Sequence, residues 1–304
     1  MLRASVLAVA LTAVVCLPAA AAPPERVAGT SLRAVTFNML HGGPWSWFTG
    51  DDGDLETRLT MIVDELRALR PDVIALQEVP HSRRHGNVAA RIAEQLGLHW
   101  AHAPSVDRVF SIRLFGWLAT RLIGFDAGPA VLTRLPITDT RTHELPRCAQ
   151  RFVPRVLLEA TVQSPVGPLA IFSTHTSRDD CQIARLAELV HARREGRPAL
   201  VMGDLNSTES TRAIADLIER GFVDAFRAAN PDAPGHTVWQ RIEAPQPTVA
   251  RRVDYVFVVR GDAVAPRVRA SRVVLDRPRA QADGGVLWPS DHHGVLADIE
   301  FEPR

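Results

Sequence analysis

Short apolar runs alternate with segments of helical period from Ser31 almost to the C-terminus, and this alternation limits the chain to layers of sheet and helix. Leu32 to Phe37 reads as a strand. Leu55 to Arg70 then carries Leu59, Ile62, Val63, Leu66 and Leu69 at helical spacing and is stopped by Pro71. Val73 to Leu76 returns as a strand. Val88 to Leu96 sets Val88, Ile92 and Leu96 on one helical face and ends at Gly97, a natural left-handed cap. Strands follow at Ala130 to Thr133, Arg155 to Gln163 and Pro168 to Thr174, the last two joined by a Ser164-Pro165-Val166-Gly167 turn. A third helix, Cys181 to Arg194, precedes the strand Ala199 to Met202, and a fourth covers Ser210 to Arg220. The C-terminal third is mainly strands: Val253 to Val259, Arg267 to Leu275 and Gly294 to Phe301. Helices mixed with hairpin-connected strands predict an α/β (α+β) fold of layered sheets covered by helices, not a doubly wound sheet. No repeat, linker or composition break interrupts the pattern, so 23–304 is expected to be a single domain.

The first 22 residues read as an export signal: Arg3 is the positive start, Val6 to Leu17 the apolar core, and Ala19 to Ala22 the small residues before Pro23. The apolar run is short for a membrane span, although an uncleaved anchor stays open. Bulky Val15 before Cys16 argues against a lipid attachment signal. The expected location is secreted or periplasmic. Removal of 1–22 leaves Cys148 and Cys181, an even number in an oxidising compartment, so a disulfide is expected; two unpaired buried thiols are the alternative. The formal net charge of +1 gives no sign of a strong electrostatic grip on a long nucleic-acid track and leaves a locally basic groove open. All 35 basic residues are Arg, a pattern read as codon bias in a GC-rich genome rather than as selection for the guanidinium fork.

Acids, amides and histidines recur where the apolar strands end, which is where layered α/β folds assemble their sites. Asn38 closes the first strand and Glu78 the Asp72-to-Val79 run. His175 ends Ile171-Phe172-Ser173-Thr174. Asp204 and Asn206 follow Leu200-Val201-Met202-Gly203 and lie on one side of an extended segment, able to address one ligand. Asp254 lies early in the Arg252-to-Phe257 strand, and Ser290-Asp291-His292-His293 precedes the last strand. Each residue alone has a bland reading as a turn former, a cap or a structural ion pair.

The order of these motifs is more specific than any one of them. It resembles the endonuclease/exonuclease/phosphatase superfamily, which includes deoxyribonuclease-type enzymes, abasic-site endonucleases, sphingomyelinases and inositol-polyphosphate 5-phosphatases. The resemblance spans roughly Leu32 to Phe301. It implies a four-layer sandwich, two packed, mainly antiparallel β-sheets flanked by helices, with the site at one end and a divalent metal, magnesium or manganese. It also implies an in-line phosphoester, above all phosphodiester, hydrolysis by an activated water.

Such a reaction needs charge neutralisation, an oriented water and stabilisation of the departing oxygen. Carboxylate and amide oxygens suit a hard cation, and no Cys/His cluster is available for zinc. Glu78 is the leading metal ligand; the resemblance places Asn38 beside it and adds Asp291, directly or through water. It pairs Asp254 with His292, the carboxylate orienting the imidazole and favouring its charged form. Asp204 is expected to orient or deprotonate the water, Asn206 to donate to the phosphoryl oxygen, and His175 to contact the phosphate. Arg155 is a candidate phosphate contact. His293 lies outside the pattern and is expected to be structural or to support its neighbour.

Substrate choice rests on other segments. Val109 to Phe125 mixes Phe110, Ile112, Leu114, Phe115, Trp117, Leu118, Leu122, Ile123 and Phe125 with Arg108, Arg113 and Arg121, as a core-packing helix or a lid resting on lipid would. Trp45, Trp47 and Phe48 add a second aromatic group after Asn38. A lipid phosphodiesterase of sphingomyelinase type therefore competes with a nuclease, so the expected partner is a phosphoester substrate, nucleic acid or phospholipid, with peripheral membrane contact through 109–125. A monomer is expected. A catalytically silent module that only binds a phosphorylated ligand is the alternative of another class.

Overall fold

The computed structural model describes residues 30–41, 54–105, 124–148, 155–178 and 180–303. The expected signal segment 1–22, the aromatic residues Trp45, Trp47 and Phe48, and 109–123 of the apolar segment lie outside the described residues. Phe125, the last residue of that segment, opens a strand.

Two sheets make the centre of the molecule. The first runs in spatial order β12 (Val264–Val274), β15 (Gly294–Pro303), β1 (Ser31–Asn38), β2 (Val73–Ser82), β5 (Phe125–Thr133) and β4 (His99–His102), with β3 (Gly86–Asn87) paired to β2. The second runs β10 (Phe222–Asp224), β11 (Asp254–Val259), β9 (Ala199–Asp204), β8 (Gly167–His175), β7 (Val156–Ser164) and β6 (Ile137–Glu144). Strands β13 (Arg279–Ala280) and β14 (Val286–Leu287) form a small ribbon. Parallel pairing is confined to β1 with β2 and β8 with β9. The helices are α1 (Leu55–Leu69), α2 (Val88–Leu96), α3 (Asp180–Arg193), α4 (Arg212–Glu219) and α5 (Ala225–Ala229).

Strand period explains the layering. Successive side chains alternate between faces, so Ala34, Val73, Ile171, Met202 and Val256 meet between the sheets. Their neighbours point outward: Val35 and Ile74 pack under Leu59, Ile62 and Leu66 of α1 and Ile92 of α2. On the other sheet Phe172, Val201 and Phe257 pack under Ile183 and Leu186 of α3 and Ile214 of α4. Central strands apolar on both faces are what the uninterrupted runs in the sequence encode, and each buried Leu, Ile or Phe contributes about 1.5–3 kcal/mol. The result is the helix–sheet–sheet–helix sandwich expected.

The helix ends follow local rules. α1 stops at Leu69 because Arg70 takes a left-handed conformation, φ 51°, before Pro71. Asn87 caps α2 through its side chain to the Ala90 N–H, and Gly97 closes it at φ 65°. Some boundaries differ from the pattern: Arg155 precedes β7 rather than opening it, and α4 is shorter than Ser210 to Arg220. β6 carries the exposed edge sequence Thr138-Asp139-Thr140-Arg141-Thr142, which has no apolar period to reveal it. Cys148 and Cys181 are joined in a disulfide, their Cα atoms 6.6 Å apart. No described helix is long and apolar enough to cross a membrane.

One end of the sandwich collects the C-terminal ends of β1, β8 and β9 and the starts of β11 and β15. That edge carries the polar residues singled out above.

Candidate active site

Strand register brings the acids together. Pairing of β8 with β9 sets His175 opposite Asp204, and pairing of β9 with β11 sets Asp204 opposite Asp254. The close approach of β9 to β8 is possible because residue 203 is glycine: at φ 154° a Cβ there would collide with the Thr174 carbonyl. Asp204 and Asp254 are 1% and 0% exposed, so their charges need partners inside the protein.

His292 is the partner they share. Its Nδ1 lies 2.9 Å from Asp254 Oδ2, and its Nε2 lies 3.7 Å from Asp204 Oδ2. The Ser290 hydroxyl donates to the Asn38 carbonyl at 2.7 Å and accepts from the His292 N–H at 3.2 Å, tying this loop to the end of β1. Thr237 ties it to β11: its hydroxyl accepts from the Val253 N–H at 3.2 Å, and its carbonyl accepts from the His293 N–H at 2.8 Å. Burial works to lower the His292 pKa, but Asp254 and Asp204 raise it to about 10, so the ring is an imidazolium at neutral pH. Burial raises Asp204 to about 7, His292 opposing and Asp254 adding to the rise.

The other side of the site is built by a bulge. Across the β2–β5 pairing Leu76 faces Ala130 and Val79 faces Gly128, so Gln77 and Glu78 together oppose Pro129. Glu78 takes φ 55°, which redirects its carboxylate toward the end of β1. There the Asn38 side-chain amide donates to Glu78 Oε1 and to Asp204 Oδ2, each at 3.1 Å, and so bridges two acids. The Asn38 Oδ1 accepts from the Leu40 N–H at 3.2 Å. His41 brings its Nε2 to 3.5 Å from Glu78 Oε2, and His175 Nδ1 lies 3.7 Å from Oε1. Burial pushes Glu78 up, but the polar groups around it, the donating Asn38 amide and the His292 imidazolium among them, lower it.

Asn206 follows Asp204 in a left-handed conformation, φ 51°, which an amide residue tolerates. Its N–H is accepted by Asp204 Oδ1 at 2.8 Å. Its side-chain amide donates to the Thr176 carbonyl at 2.9 Å and sits 2.9 Å from His175 Nε2. Burial, then Arg155, drives His175 well below the usual imidazole range, so the ring is neutral; its Nε2 also lies 3.2 Å from Asp204 Oδ2. Arg155 donates to Ser177 Oγ at 3.3 Å. Burial lowers its pKa while Glu78 and Asp204 hold the charge, which places a cation beside both acids.

Two sets of donors could hold a cation. Asp204, Asp254 and His292 offer ligand atoms within 4.8 Å of one another. The hydrogen bond already closed between His292 and Asp254 suits a proton relay better than a metal cage. Glu78 and Asp291 suit a hard cation: both are carboxylates, and burial first, with Glu78 adding to it, raises the Asp291 pKa, a repulsion that a divalent ion would relieve.

All nine residues singled out by the sequence therefore gather at this end of the sandwich. His293 is turned away: it stacks on Trp288 with ring centroids 5.4 Å apart. Sequence reading missed His41, Arg58, Thr237 and Ser290 as contributors. Ser290 lay within the Ser290-to-His293 motif already noted and His41 just beyond the strand that Asn38 closes, whereas nothing in the helical pattern of α1 marks Arg58.

Comparison with known proteins gives a match to the model of the Endonuclease/Exonuclease/phosphatase family over residues 35–292. No curated protein matches the sequence. Among solved structures, an endonuclease/exonuclease/phosphatase from Beutenbergia cavernae is similar at 24% identity and TM-score 0.62, covering 89% of this chain and 72% of its own. The Bacteroides thetaiotaomicron mannosyl-6-phosphatase Bt3783 is similar at 17% identity and TM-score 0.65, covering 89% and 99%. A truncated Caenorhabditis elegans TDP2 is similar at 15% identity and TM-score 0.59, covering 89% and 97%.

Proposed function

Since the chain belongs to the Endonuclease/Exonuclease/phosphatase family, whose members hydrolyse phosphoester bonds, we propose that it is an exported, divalent-metal-dependent hydrolase that cleaves a phosphodiester by in-line attack of water. The observation that carries this reading is the buried array Asp254, His292, Asp204: two acids on adjacent strands with one imidazolium held between them. Asp254 orients the ring and keeps it charged, so that His292 presents a fixed positive edge to a phosphate oxygen.

Asp204 is poised between ionised and protonated near pH 7, the range in which a general base accepts a proton from water most effectively. The Asn206 amide donates toward charge building on the phosphoryl oxygen. Arg155 and His175 bind the phosphate from the second sheet, the first as a cation and the second as a neutral imidazole. Glu78 and Asp291, with Asn38 bridging Glu78 to Asp204, would hold magnesium or manganese, which when bound neutralises phosphate charge and stabilises the leaving oxygen.

The filled polar array argues against a silent binding module, which would not need a poised acid beside a charged imidazole. The test is a panel of plasmid DNA, RNA, sphingomyelin, glycerophospholipids, inositol phosphates and a sugar phosphomonoester, with EDTA controls. Hydrolysis abolished by EDTA and restored by magnesium or manganese is expected. Hydrolysis indifferent to EDTA would overturn the metal assignment, and binding without turnover would favour the silent module.

A further inference from the structure

Arg58 sits on α1 with 1% of its surface exposed. Its guanidinium donates to the carbonyls of Met39 at 2.8 Å, Leu40 at 2.9 Å and Pro289 at 3.3 Å. Among the described residues it hydrogen-bonds no carboxylate, and its Nε has no partner. A buried guanidinium without a bonded counter-ion is a poor way to stabilise a fold, since an apolar side chain of similar volume serves as well or better. Its contacts point to another role.

That role lies in which carbonyls it holds. Met39 and Leu40 follow Asn38, and Pro289 precedes Ser290, Asp291 and His292, so one planar fork grips both loops that carry the site. Leu40 takes a left-handed conformation, φ 52°, which a leucine adopts only under constraint. That turn delivers His41 to Glu78, with the His41 N–H and ring Nε2 both 3.5 Å from Glu78 Oε2. Arg58 accepts no proton and touches no reacting atom; it sets where the loops stand.

We propose that Arg58 is a positioning residue of the active site, pinning the Asn38–His41 turn to the Pro289–His292 loop and so fixing the spacing of Asn38 and Glu78 against Asp291 and His292. This rests on the phosphoester-hydrolase reading above. A lysine keeps the charge but is a point donor, unable to grip three carbonyls spread over two loops. A glutamine keeps amide donors without charge or reach.

The test compares Arg58→Lys and Arg58→Gln with the wild type by thermal unfolding, separate kcat and KM on one phosphodiester, and hydrogen–deuterium exchange. Both variants are expected to unfold cooperatively, with kcat lowered about tenfold to 100-fold and KM changed little, as displacement of reacting groups by a fraction of an ångström would cause. Exchange is expected to rise first in 38–41 and 289–293. Wild-type kcat in folded variants, exchange unchanged in those segments, or failure of both variants to fold would each overturn the positioning role, the last making Arg58 a fold residue only. A wild type inert on every phosphoester is a failure of the function reading alone, and the exchange measurement then still decides the part played by Arg58.

Discussion

Asp254 and His292, 38 residues apart in sequence, meet at 2.9 Å in a setting where each is 5% exposed or less. The bond fixes which ring nitrogen faces the acid and leaves Nε2 on the Asp204 side, so the geometry of one strand start helps keep His292 charged.

Activity should therefore show two limbs with pH. Asp204 must ionise to act as a base, so kcat/KM should rise through its pKa of about 7 and fall as His292 loses its proton near 10. Asp254→Asn removes the main group that raises the His292 pKa, so the upper limb should move to lower pH while the lower limb changes less. A profile whose upper limb is unmoved by Asp254→Asn would contradict the pairing.

Gly203→Ala tests the backbone contact that seats Asp204. A methyl group at this position meets the Thr174 carbonyl, and relief requires β9 to shift away from β8. Overpacking of this kind costs roughly 1–3 kcal/mol. Thermal unfolding should show a lowered midpoint, and turnover should fall further than stability because Asp204 is the next residue.

The Cys148–Cys181 disulfide spans 33 residues and joins the segment before β7 to the start of α3. Closing a loop of that length stabilises a fold by about 3–4 kcal/mol in the chain-entropy account. The paired Cys148→Ser, Cys181→Ser variant should unfold at lower temperature and retain turnover at temperatures where it is still folded. An unchanged midpoint would show that the bond contributes nothing.

His102 predicts an acid-sensitive component of stability. Burial, then His81, lowers its pKa to about 4, with the Val79 backbone opposing. Because the unfolded chain titrates near 6.5, it binds more protons than the folded one between those values. Stability is therefore highest above about pH 6.5 and falls as pH drops toward 4, by up to about 3 kcal/mol from this residue. Chemical denaturation at pH 5 and 7 should show a smaller difference for His102→Gln than for the wild type.

Much of this architecture was legible in the sequence because its central strands are apolar on both faces and its helices are amphipathic. The long runs around Ile74, Ile171 and Val201 could only be buried strands, and the polar residues that terminate them had to lie at sheet ends. What escaped reading had physical reasons. β6 is an exposed edge whose charged side chains follow no apolar alternation. The bulge at Gln77 and Glu78 depends on a register shift against Pro129, which no local pattern announces. Arg58 looks like any polar residue on an amphipathic helix until the loops it grips are brought over it from β1 and from the approach to β15. The site residues were visible as types at strand ends, whereas their pairings, such as Asn38 between Glu78 and Asp204, required the register of both sheets.

The most direct test of the central claim is the turnover of an activated aryl phosphodiester by Asp204→Asn, measured in magnesium or manganese buffer beside its thermal unfolding. The isosteric change keeps the bulk and a hydrogen-bonding side chain but removes the base. The expected result is a fall in kcat of about 100-fold or more with the unfolding midpoint close to the wild type. Near-wild-type turnover by the folded variant would contradict the assignment of Asp204, and with it the account of how this site attacks a phosphoester.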